Sequence, residues 1–170
     1  MQRKRFDTMN CPLARGLDRV GEWWSILILR DACGGMTRFD QFQKSLGIAP
    51  AMLTRRLNAM VENGLLTKHL YSTRPPRDEY RLTARGEDFR PVLVAMFAWG
   101  NAHFTPEGQQ SQIVDARTGA LVRPVLVDEA TGRPIRAPDF KLAPGPAATA
   151  SMRARLVNGG GLLGWTGAPA

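Results

Sequence analysis

Histidine and cysteine are scarce in this 170-residue chain, with two of each. His69 and His103 stand far apart and have no ligand-spaced partners, so no metal site is expected. Cys11 and Cys33 cannot build a disulfide framework. No apolar run approaches the roughly 18 residues that span a bilayer, which excludes a membrane helix. The opening MQRKRFDTMN is basic with no apolar stretch behind it, so residues 1–10 read as a mobile arm and not a signal peptide. No nucleophile sits beside a base, no glycine-rich loop cradles a phosphate, and the carboxylates are scattered. Neither catalysis nor a cofactor is expected, and the chain reads as cytoplasmic.

What is abundant is positive charge. The net charge is +8, with a pI near 10.5, which favours a polyanionic partner. The excess is uneven: residues 1–104 carry +6 and residues 105–170 carry +2. An apolar fraction of 44% is enough for a core.

The apolar pattern of residues 11–104 is helical. Pro12 suits a first helical turn, and Leu13, Leu17 and Val20 share a face before Gly21 interrupts. Trp23–Ala32 is apolar nearly all round and reads as the central core helix, ended by Gly34-Gly35. A short helix from Thr37 or Arg38 through Ser45 turns Phe39 and Phe42 inward. Gly47 makes a turn, Ile48 plugs between helices, and a second helix runs from about Pro50 to Asn63-Gly64. In that helix Leu53, Leu57, Met60 and Val61 fall on one arc, and Ala51, Thr54, Arg55, Asn58 and Glu62 on the other. Strands at Leu65–Leu70 and Asp78–Leu82 flank a loop in which Pro75-Pro76 holds Arg74 and Arg77 at the tip. A helix capped by Thr83 runs to about His103, with Pro91 as a kink or late start. These elements predict a mainly α fold with a small β-wing: a winged helix-turn-helix domain at 11–104 that reads DNA.

Beyond residue 104 the character changes. VDARTGALVRP at 114–124 returns as VDEATGRPIRA at 127–137, a repeat spaced by 13, and each Thr-Gly step marks a turn. Residues 105–142 therefore read as a β-hairpin extension. The Gly-, Pro- and Ala-rich tail at 143–170 reads as disordered, with Leu162, Leu163 and Trp165 the residues there suited to binding. An alternative to DNA reading is a winged-helix module that binds protein through these hairpins and this tail.

With these residues in hand, the chain resembles the HxlR-type transcription regulators, relatives of the MarR-like winged helix proteins. The matching pieces are CPLARGLDRVGEWW at 11–24, LILRD at 27–31 and FDQF at 39–42. They continue with GIAPAMLTRRL at 47–57, NGLL at 63–66, PPRDEYRLTARG at 75–86 and PVL at 91–93. The resemblance implies a homodimer joined through the first and last helices of residues 11–104. It also implies a palindromic operator whose half-sites lie roughly 34 Å apart, and repression more than activation. Ala49 stands where the family usually has a capping Ser, which forgoes roughly 1 kcal/mol of capping. Ala51 stands where a polar residue is common, and this moves base contact towards Thr54, Arg55 and Asn58. The repeat resembles the extension of longer relatives in which cysteine pairs hold zinc; with no cysteine beyond Cys33, metal-free hairpins are expected.

The expected DNA contacts are therefore Ala51, Thr54, Arg55 and Asn58 on recognition helix 50–63. To these are added Arg74 and Arg77 on wing 72–78, with Lys68 and Arg81 nearby, and Arg38 and Lys44 beside the first helix of the motif. Arg56 lies nearer the core side, where a structural ion pair is the alternative. Arginine can donate two bonds to guanine and asparagine can pair with adenine. Cys11 opens a helix beside Arg15, a setting that activates a thiol towards oxidants and electrophiles; packing in an interface is the alternative. Trp23, Trp24, Phe97 and Trp99 could line a small-molecule effector pocket or simply serve as core.

Overall fold

The computed structural model describes residue 6, residues 9–157 and residue 163. The residues divide into two units, Met1–Glu107 and Gly108–Ala170.

In the first unit, Pro12 occupies the first turn of α1 (Pro12–Val20), where its missing N–H is one of the helix's orphan donors anyway. Helix α2 (Trp23–Cys33) buries Ile28, Leu29 and Ala32. Helix α3 (Phe39–Leu46) begins where the Gln41 side-chain oxygen accepts the N–H groups of Thr37 and Arg38, at 3.0 and 2.9 Å. It ends on Gly47 at φ 60°, a left-handed position that strains any side chain. Ile48 drops into the core at that turn, and α4 (Pro50–Glu62) follows. Phe42, Leu53, Leu57 and Met60 are essentially inaccessible and lock α3 and α4 onto α2. The two helices of the motif are thereby held by one core.

The wing is more regular than expected. Strand β1 (Leu66–Thr73) pairs antiparallel with β2 (Pro76–Leu82), and pairing runs past Leu70 through Ser72↔Arg77 and Thr73↔Pro76. The expected seven-residue loop is reduced to a tight turn at Arg74-Pro75. One residue, Tyr71, is left over as a bulge between Leu70 and Ser72. Ser72 and Thr73 are good strand formers, and the Ser72 hydroxyl donates to the Pro75 carbonyl at 3.0 Å to close the turn. The wing is anchored inward: Arg38 bridges to Glu79, and the Tyr80 N–H donates to the Thr37 carbonyl at 2.7 Å.

The expected single helix from Thr83 is two. Thr83 caps the short α5 (Ala84–Glu87), its hydroxyl oxygen accepting the Gly86 N–H at 3.1 Å. Helix α6 (Arg90–His103) then starts afresh with Pro91 in its first turn. A proline further inside would clash with the carbonyl four residues back, so the chain breaks before it. None of α6 is buried, although Leu93 packs against the core. Among the described residues no helix is long and apolar enough to cross a membrane.

In the second unit each repeat forms a tight reversal, with Val114 bridged to Leu121 and Val127 bridged to Pro134. Asp115 Oδ1 accepts the N–H groups of Arg117 and Thr118, both at 2.8 Å, and Asp128 Oδ2 accepts that of Thr131 at 3.1 Å. Contrary to the expected disorder of 143–170, Ala150–Val157 is a helix, α7. Alanine, methionine, arginine and leucine are strong helix formers, and Thr149 caps them by accepting the Met152 N–H at 3.2 Å. Leu162 and Trp165, and most of the arm at 1–10, lie outside the described residues.

Candidate nucleic-acid interface

Helix α4 has two chemically distinct faces. Leu53, Leu57 and Met60 point into the core, while Ala51, Thr54, Arg55 and Asn58 are exposed. Two of the outward side chains make contacts within the helix. The Thr54 hydroxyl donates to the Pro50 carbonyl at 3.0 Å, leaving its methyl and lone pairs for an outside partner. The Arg55 guanidinium rests on the Met52 sulfur at 2.9 Å, a soft contact that releases it at little cost. Asn58 keeps both a donor and an acceptor available to solvent.

Arg56 belongs elsewhere. Its guanidinium meets the Glu22 carboxylate at 3.4 Å, and only 18% of the side chain is exposed. One residue is about 100° around a helix, which separates this inward arginine from outward Arg55. Arg56 therefore ties α4 to the start of α2, the structural ion pair that was the alternative to a DNA contact.

On the wing, Arg74 occupies the turn and Arg77 the facing strand; both are exposed and have no acidic partner among the described residues. Lys68 and Arg81 differ from them. Lys68 bonds Asp78 at 2.9 Å, which raises its pKa, and Arg81 bonds Glu79 at 2.6 Å. Their charges are offset within the hairpin, whereas those of Arg74 and Arg77 are not. Lys44 is exposed in the last turn of α3. Arg38, just before α3, lays its guanidinium over the Tyr71 ring, 4.7 Å from the centroid. Between α3 and the wing runs an open groove of about 410 Å³ lined by Phe39, Tyr71, Arg77 and Tyr80 among others.

The four aromatics do not enclose a pocket within one chain. Trp23 is 76% and Trp99 58% exposed, Phe97 is at the surface, and Trp24 packs against the core. Trp99 instead stacks edge-on against Phe104 at 4.8 Å. Among the described residues no three His, Cys, Asp or Glu side chains gather into a metal-holding group. Cys11 is half-buried at the cap of α1, and Arg15 turns to the Met9 carbonyl at 2.7 Å and to Asn10. Burial raises the pKa of the Cys33 thiol, which Arg90 partly opposes.

Sequence alone does not single out Tyr71 or Glu22 as partners of Arg38 and Arg56. Helical spacing marks Arg56 as borderline, but it cannot say which acid on another helix will meet it. A one-residue bulge reverses the alternation along β1, so counting by twos does not place Tyr71.

Comparison with known proteins agrees with this geometry. The profile of the HxlR-like helix-turn-helix family matches residues 19–108. An uncharacterized HTH-type transcriptional regulator of Mycobacterium tuberculosis is 37% identical over 141 residues, covering 82% of this chain and 89% of that protein. A Pseudomonas aeruginosa protein solved as a candidate transcription factor, PA1374, is 55% identical. The match covers 86% of this chain and 100% of that one, with a TM-score of 0.63. The reduced form of the redox regulator HypR is 28% identical over 56% of this chain and 95% of its own, with a TM-score of 0.53. A helix with a buried seam and an open polar face, a charged wing and these relatives agree: the chain belongs to the HxlR-like helix-turn-helix family of DNA-binding transcription regulators.

Proposed function

We propose that the protein is a homodimeric repressor that lays α4 in the major groove of a palindromic operator. In this reading Thr54, Arg55 and Asn58 read base edges, with Ala51 close to the groove floor. Arg74 and Arg77 rest on the flanking backbone or minor groove, and Arg38 and Lys44 hold phosphates beside α3. The observation that carries this is the exposed Thr54, Arg55 and Asn58 face of α4, set against a buried Leu53, Leu57 and Met60 seam. A second copy is supported by apolar side chains left in solvent: Leu13 and Leu17 on α1, and Val92, Met96 and Trp99 on α6. Covering them would remove a surface that a monomer rarely leaves open. Such a dimer also brings a second set of Trp23, Phe97 and Trp99 to the interface, where an effector cavity could close. Reading chromosomal DNA in bacteria such as those of the relatives requires a cytoplasmic location.

Binding-site selection with two variants tests the assignment. Arg55→Ala should relax base preference at one position of each half-site, costing roughly 1–3 kcal/mol of discrimination there. Arg77→Ala should weaken every sequence about equally and lower the salt slope by about 1 per site. If both variants merely scale the affinity, the division between base readers and backbone holders fails.

A thiol response belongs to the same reading. Cys11 opens α1, which would lie in the dimer interface, and the similarity to HypR, solved as a redox regulator, supports a sensing role.

A further inference from the structure

The bulge on β1 has a consequence for how the protein would grip a phosphate. Pairing runs Leu70↔Asp78 and then Ser72↔Arg77, so Tyr71 is the extra residue and has no cross-strand partner. A bulge bends its strand and re-aims one side chain. Here the Tyr71 ring is delivered beneath Arg38, whose guanidinium lies 4.7 Å from the ring centroid. The Arg38 backbone is itself fixed, because its bridge to Glu79 and the bond from Tyr80 N–H to the Thr37 carbonyl staple the start of α3 to the wing. The side chain is thus held at both ends, by its backbone and by the ring. Arg38 also stands at the N-cap of α3, where its own N–H is taken by the Gln41 side chain, so its guanidinium is the group left to meet an outside anion. In helix-turn-helix proteins the helix before the recognition helix crosses the DNA backbone.

We infer that Tyr71 is a positioning residue for DNA binding: its ring is the platform that holds the Arg38 guanidinium ready for a phosphate at the start of α3. The inference rests on the DNA reading proposed above. A free arginine loses several rotatable bonds' worth of freedom when it grips an anion. A stacked one has lost most of that freedom beforehand, and the ring leaves the in-plane N–H donors open to accepting oxygens. The ring also links the wing to the helix-turn-helix motif: Tyr71 lines the same groove as Arg77 and carries the Arg38 guanidinium on its face.

The test is a double-mutant cycle on the full chain. DNA affinity is measured by fluorescence anisotropy on one selected site and one random duplex, between 50 and 200 mM salt. Tyr71→Leu should weaken binding to both duplexes about threefold per protomer, the scale of an exposed cation–π contact. It should also flatten the salt slope by about 0.9 per protomer, as one phosphate contact is lost. Tyr71→Phe keeps the ring and should bind like the wild type. Arg38→Ala should match Tyr71→Leu or exceed it, and the double variant should be no weaker than Arg38→Ala alone. In the free protein, the Arg38 Nε–H proton should carry an upfield ring-current shift that persists in Tyr71→Phe and vanishes in Tyr71→Leu. This reading does not depend on DNA or on the double variant. Additive losses, an unchanged salt slope in Tyr71→Leu, a Tyr71→Phe variant as weak as Tyr71→Leu, or no ring-current shift would each overturn the positioning role while leaving DNA binding standing. A wild type that binds neither duplex at 50 mM salt overturns the DNA reading and the inference together.

Discussion

Replacing Arg56 by Ala should cost stability and leave base preference untouched. The pair with Glu22 spans 3.4 Å, with 18% of Arg56 and 30% of Glu22 exposed, and Arg56 Nε is buried without a partner among the described residues. Exposed pairs contribute about 1 kcal/mol or less, whereas breaking a fully buried one costs about 3–5 kcal/mol. This pair lies between those limits, so a loss of about 2 kcal/mol is expected, including the packing of the arginine stem. For a unit of this size that should lower Tm by about 8–12 °C in a thermal scan. Arg56→Met restores the stem without the charge, and should recover roughly half of the loss. Binding-site selection with Arg56→Ala at a temperature where it is folded should return the wild-type consensus. A Tm within about 1 °C of wild type together with an altered consensus would show that Arg56 reads bases, and would rotate the assigned face of α4 by one residue.

Three other outcomes follow from local contacts. A Cβ on Gly86 would fall 2.2 Å from the Leu65 carbonyl oxygen and 2.9 Å from a Leu82 methyl. Because backbone cannot step aside cheaply, Gly86→Ala should cost about 3 kcal/mol in urea unfolding. The carboxyl of Asp115 is held below its ordinary value by the Thr118 and Arg117 N–H groups. Its folded pKa is depressed, so its contribution is present above the unfolded value of 3.8 and is lost as pH falls through the folded one. Amide protection of Thr118 should therefore hold at pH 6 and be lost only as pH falls below 3.8, and a loss already complete above 3.8 would contradict the hydrogen-bonding account. Cys11→Ser should abolish diamide-induced release from DNA, and an unchanged response would remove the sensor reading.

Much of this fold is legible in the sequence because its helices follow a 3.6-residue period. Leu53, Leu57 and Met60 mark the seam of α4, and the same count separates it from Thr54, Arg55 and Asn58. The proline and glycine positions also carried their message, with Pro12, Pro50 and Pro91 in first turns and Gly47 at a left-handed cap. What the sequence concealed is mostly long-range or one residue wide. Nothing local joins Arg56 to Glu22, 34 positions away, because that pairing exists only once α2 and α4 have packed. Strand alternation carries no sign of the bulge at Tyr71, so neither the extended wing pairing nor the Arg38 contact could be anticipated. The helix at Ala150–Val157 is hidden by the Gly- and Pro-rich composition of the tail around it, although six of its eight residues are strong helix formers. For the four aromatics the sequence leaves pocket and core open, and in a single chain Trp24 packs against the core while Trp23 and Trp99 stand in solvent.

The most direct test of the central claim is the affinity of the purified full chain for the DNA upstream of its own gene, compared with a random duplex of equal length, from 50 to 200 mM salt. The account predicts tight binding to the upstream fragment in preference to the random one. Six to ten phosphate contacts should make that affinity fall roughly 10³–10⁵-fold across the range. Equal binding to both duplexes, or none to either at 50 mM salt, would contradict a sequence-specific reader built on Thr54, Arg55 and Asn58.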